Sequence, residues 1–140
     1  MISQISAQEV SKSRVALENM GYKQVSRGIS QLDKIEMVKT LKSFKNNKVI
    51  LTTILGDSEA FQFTLEIKEV FEAAGWKVDG INQSVYNNPM IGVFIGVKSE
   101  KYPSRVNNIF NALKILNIIA KGNLNINLHD DDVELMIGAK

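Results

Sequence analysis

Apolar residues in this chain fall into spaced stripes and continuous runs, and the two alternate. From Ile29 they recur at Ile29, Leu32, Ile35, Val38, Leu41 and Phe44, with Met37 beside them; Lys34, Glu36, Lys39 and Lys42 take other positions. That spacing predicts an amphipathic helix that starts near Ser30 or Asp33 and ends at the polar Lys45-Asn46-Asn47 turn. Residues 49–55 are almost continuously apolar and rich in β-branched side chains, the pattern of a strand covered on both faces. Gly56-Asp57-Ser58 then turns the chain into a second stripe carried by Phe61, Leu65, Ile67, Val70, Phe71 and Ala74. Asp57 or Ser58 suits the N-cap, Glu59 complements the helix dipole, and Gly75 is a C-terminal stop beyond which Trp76 can fold back.

The plan repeats with changes. Residues 76–80 and 81–86 read as a polar strand, closed by Asn87-Asn88-Pro89, and residues 90–97 (MIGVFIGV) as a second buried strand. Pro103 opens a stripe of Val106, Ile109, Phe110, Leu113, Leu116 and Ile119 that Lys121-Gly122 is expected to close. Leu124, Ile126 and Leu128 alternate with asparagines like a half-exposed edge strand, and after the His129-Asp130-Asp131-Asp132 turn residues 133–139 form a last strand. The order is helix, β, α, β, β, α, β, β. It predicts an α/β fold, a three-layer sandwich around a mixed five-stranded sheet, with the apolar strands central and the polar ones at the edges. Antiparallel pairing of residues 76–86 with 90–97 would instead give a ferredoxin-like α+β sheet.

Charge divides the chain. Residues 1–45 carry eight Lys/Arg against four Asp/Glu, and residues 46–140 carry nine against eleven. We therefore place a boundary at residue 46: residues 1–45 as a helical linker or stalk, with a short helix over 7–20, and residues 46–140 as the α/β domain. At 140 residues and 44% hydrophobic, the chain has material for one core. It has no cysteine, which excludes disulfides, thiolate metal sites and cysteine nucleophiles and suits a reducing, cytoplasmic compartment. No run reaches the about 18 apolar residues of a membrane span. A membrane link is expected only through a segment outside this sequence.

Candidate chemistry is sparse. The single histidine, His129, sits in an acidic turn without EF-hand ligand spacing, and no Gly-x-Ser-x-Gly elbow is present. No metal, cofactor or catalytic group is expected. Basic and aromatic residues are too scattered to point to nucleic acid. Three groups of residues remain. Asn82, Gln83, Ser84, Tyr86 and Asn88 form a polar connection between strands, where scaffolds commonly carry contacts to a ligand or partner. As the alternative, Asp57, Ser58 and Glu59, with Ser99, would line a strand-end crevice in a flavodoxin-like domain, an enzyme or a module binding a small molecule or nucleotide. The stripe of Ile29, Leu32, Ile35, Val38 and Leu41 is a candidate interface for a protein partner or for self-association. A non-catalytic sensing or protein-interaction module is the first functional expectation.

Several short motifs carry a family likeness: Gly56-Asp57-Ser58-Glu59-Ala60, Ala74-Gly75-Trp76, Gly80-Ile81-Asn82-Gln83, Asn88-Pro89, Ile91-Gly92 and Ile137-Gly138. Over residues 30–140 the chain resembles an uncharacterised bacterial soluble α/β domain. In that group the domain usually follows transmembrane helices and a helical linker. The resemblance implies a fold and the soluble end of a membrane-associated protein; it implies no catalytic residue.

Overall fold

A computed structural model describes residues 26–140. The helix expected over 7–20 lies outside the described residues. The fold is an α/β sandwich around a mixed five-stranded sheet with an N-terminal helix. The elements are α1 (Gln31–Leu41, followed by a 3-10 turn Lys42–Phe44), β1 (Lys48–Ile54), α2 (Ser58–Ala73), β2 (Lys77–Ser84), β3 (Val93–Val97), α3 (Arg105–Ile115), β4 (Lys121–Leu124) and β5 (Glu134–Ile137).

Strand order is β2-β1-β5-β3-β4, so the polar strands β2 and β4 take the edges and the apolar ones the centre. β1 runs parallel to β2 and β5, β3 runs parallel to β4, and β3 and β5 are antiparallel. Two βαβ units of opposite direction thus meet on β5. The pairing a ferredoxin-like sheet requires does not form, because β2 pairs with β1 and β3 lies between β5 and β4. Segments 76–80 and 81–86 merge into one strand whose register steps opposite Leu51.

Alternation along each strand places Val49, Leu51, Val93, Ile95, Val97, Leu135 and Ile137 on one face. There they form a single core with Met37 and Leu41 of α1, Phe63, Ile67, Val70 and Phe71 of α2, and Ile109 and Leu113 of α3. Thr52, Phe94, Gly96, Glu134 and Met136 belong to the opposite face. No described helix is long and apolar enough to cross a membrane.

The caps explain the helix bounds. Ser30 accepts from the Asp33 N–H and Asp57 from the Ala60 N–H, satisfying first-turn donors. At the end of α2, Gly75 is left-handed (φ 86°), its N–H donates to Glu72, and the Trp76 N–H donates to Phe71. This is a Schellman ending, and its apolar contact is the edge-on packing of Trp76 against Phe71 at 5.0 Å. α3 ends the same way at Asn117 (φ 60°), with Asn117 and Ile118 N–H groups donating to Lys114 and Leu113. The expected stop at Lys121-Gly122 is therefore corrected: asparagine tolerates the left-handed state, and those two residues start β4. The buried face of α2 also shifts. Phe63 and Thr64 are buried, while Phe61 and Leu65 are half-buried.

The α1 stripe does not form one face. A spacing of three falls short of a helical turn by about 60° per step, so Leu32 and Leu41 point to opposite sides. Leu41 and Met37 are buried in the domain core, whereas Leu32 is 77% exposed. Leu41→Asp should therefore unfold the domain, while Leu32→Asp leaves its melting temperature unchanged.

Candidate functional site

The start of α2, at the carboxyl end of β1, is occupied by the chain itself. The Glu59 carboxylate accepts from the Arg27 backbone N–H (2.8 Å), from Nε (2.9 Å) and from Nη2 (2.7 Å). The same guanidinium donates to the Gly138 carbonyl and lies 4.8 Å from the centre of the Phe63 ring. This clamp ties the entry of the chain to the start of α2 and the end of β5, filling the strand-end position with its own cation. Ser99 follows β3, which is antiparallel to β5, so it lies at the sheet's other end from Asp57, Ser58 and Glu59. The structure does not bring those four into one crevice.

The clamp depresses the Glu59 carboxyl below its ordinary value, chiefly through the Arg27 hydrogen bond, against the opposing effect of burial. A carboxyl lowered in the folded state stabilises it above the unfolded value, and that contribution vanishes as pH falls through the folded one. Glu59→Gln should thus cost about 1–3 kcal/mol at neutral pH, and urea unfolding in acid should show the gap closing.

The acidic turn is likewise self-satisfied. Asp130 pairs with Lys98, Asp131 with Arg105 and Asp132 with Lys48. Asp132 also accepts from the His129 N–H, which is the main cause of its lowered carboxyl value. Among the described residues no cluster of His, Asp and Glu could hold a metal ion.

Of the polar connection, Asn82 proves structural: its amide donates to the Leu51 carbonyl (3.2 Å) at the register step. Gln83 borders a shallow depression with Gly56, Asp57, Ser58, Phe61 and Gln62. Asn87 and Asn88 line a second, with Ile54, Tyr86, Pro89, Met90, Ile91 and Ala139. Just after these two asparagines, the Met90 and Gly92 carbonyls accept from the Ala139 and Gly138 N–H groups that follow β5. Around this rim three large apolar side chains stand in solvent, Leu55 at 56%, Val85 at 76% and Ile91 at 59% exposure. Leu55 joins β2 directly, its N–H donating to the Ser84 carbonyl.

Ser84 and Tyr86 turn toward the face of the sheet opposite the core. There they border a cavity of about 210 Å³ shared with Met90, Phe94, Gly96, Asn123, Asn125, Glu134 and Met136. Thr52 donates to Glu134 Oε2 at 2.6 Å. Burial raises the Tyr86 phenol above its ordinary value; hydrogen bonding with Ser84 opposes this and the Glu134 charge adds to it. Tyr86 is thus a neutral hydroxyl at physiological pH. Glu134 escaped the sequence reading because it sits inside an apolar run; only the pairing of β5 with β1 and β3 shows that it faces away from the core.

Compared with family models, curated proteins and solved structures, the chain matches none.

Proposed function

We propose that this chain is a non-catalytic protein-interaction module whose contact surface is the rim formed by Leu55, residues 82–88 and Ile91. The observation that carries this reading is the exposure of Leu55, Val85 and Ile91 around neutral hydrogen-bonding groups. Exposed apolar anchors within a polar surround are the composition of a binding patch. Leu55 is bonded to Ser84 and Ile91 is bridged to Ala139, so contact through these two would cost little ordering of the chain.

The likeness to bacterial domains that follow transmembrane helices supports a place at the soluble end of a membrane-associated protein, where such a module would sense or recruit. α1 offers a further contact through Leu32 and Ile35, which remain exposed while Met37 and Leu41 are buried in the core.

A Val85→Asp/Ile91→Asp variant, matched to the parent in melting temperature, tests the rim. Proteins recovered on the immobilised chain, and its own oligomeric state by sedimentation, are compared between the two. The reading expects a recovered protein or a second copy to fall by about tenfold or more, the loss of one hot-spot anchor. Identical recovery and identical sedimentation would overturn it.

A further inference from the structure

The sheet-face cavity calls for an occupant different in kind from a protein rim. Its floor is made by a pairing in the sheet: Gly96 of β3 lies directly across from Glu134 of β5. A β-carbon at Gly96 would stand 3.5 Å from Glu134 Oε1, an ordinary contact, so the glycine leaves open the space beside that oxygen. Glu134 Oε2 is engaged by the Thr52 hydroxyl. Among the described residues no lysine or arginine forms an ion pair with Glu134. Glu134 is half-buried at the edge of the cavity, and a cation in the adjacent space would add a charge-assisted contact to its carboxylate.

We propose that this cavity binds a small organic cation, an alkylammonium or guanidinium group, against the Glu134 carboxylate. The walls fit that charge. Tyr86 supplies aromatic surface, whereas the Phe94 ring is already faced by the Lys121 ammonium, 5.6 Å from its centre. Ser84 and Asn123 contribute oxygen acceptors for the remaining N–H groups, while Asn125 Oδ1 already accepts from the Asn127 N–H. An anion is disfavoured by the carboxylate. The volume is below the roughly 300–1,000 Å³ of sites that enclose drug-sized ligands, so a cationic head group fits where a nucleotide would not.

The cavity shares Ser84 and Tyr86 with the rim, but Glu134 and Gly96 belong to the cavity alone, so a test on those two is independent of the rim's. Backbone amide shifts are followed by NMR as agmatine or n-butylamine is added at constant ionic strength, with n-butanol as the neutral counterpart. A Gly-Arg-Gly peptide amide forms a second arm. Saturable shifts at Gly96, Asn123, Asn125 and Glu134 with a cation, absent with butanol, are expected. Binding of the free amine identifies a metabolite-like ligand, and binding of the peptide alone a protein-borne guanidinium; either supports the site. Glu134→Gln, which keeps an acceptor for Thr52, should weaken binding at least about tenfold, as loss of a charge-assisted contact does. Gly96→Val, which fills the space while keeping the charge, should abolish it with the fold retained by circular dichroism. Absence of saturation, or binding unchanged in Glu134→Gln, would overturn the proposal.

Discussion

Replacing Trp76 by alanine is expected to lower the stability of the domain by about 3–5 kcal/mol, close to the whole margin of many domains of this size. Three contributions are lost together. The indole is buried in the core, packs edge-on against Phe71, and donates from Nε1 to the Leu41 carbonyl at 2.8 Å. That last bond joins the end of α1 to the end of α2. Trp76→Phe separates the parts: it keeps most of the apolar area but strands a buried carbonyl, so it should cost about 1–3 kcal/mol. Urea unfolding of both variants, read by far-ultraviolet circular dichroism, checks the order. Equal stability of Trp76→Phe and the parent would show that the hydrogen bond adds nothing beyond packing.

Arg105→Met should cost about 2–4 kcal/mol, whereas Asp131→Asn should cost less than about 1 kcal/mol, although the two residues form an ion pair. The asymmetry follows from exposure. The Asp131 side chain is 90% exposed, so its charge is screened by water, while that of Arg105 is only 4% exposed. Arg105 acts mainly on main-chain oxygens: Nε donates to the Lys48 carbonyl at 3.2 Å, and Nη2 to the Asp131 carbonyl. It thereby fastens the start of α3 to the start of β1 and to the turn before β5. Methionine fills the volume and leaves both carbonyls without that donor. Comparable losses in the two variants would assign the stabilisation to the ion pair instead.

Much of the architecture was legible because local rules state it directly. The caps at Ser30 and Asp57, the Gly75-Trp76 ending, and the division into apolar central and polar edge strands all depend on residues close together in sequence. Boundaries failed where two residues satisfy the same rule. Asn117 took the left-handed position assigned to Gly122 because either residue can hold it, and the spacing of α3 did not distinguish them. The α1 stripe misled for a geometric reason: a period of three resembles a face over two turns and spirals away over three.

Candidate chemistry was less legible than fold. Asp57, Glu59 and Asn82 have the composition of a binding site, but their partners decide what they do: the Ala60 N–H, Arg27 and the Leu51 carbonyl already occupy them. The separation of Ser99 from Asp57 follows from the direction of one strand, which the composition of that strand does not encode. By itself, the sequence determined the identity and order of the elements, the caps at Ser30, Asp57 and Gly75, and which strands are buried, because these follow from periodicity and near-neighbour hydrogen bonding. Only the tertiary structure decided that β5 enters between β1 and β3, and so that Glu134 faces Gly96 across the sheet in an open cavity. Strand pairing joins residues tens of positions apart, and it is set by the packing of the whole core.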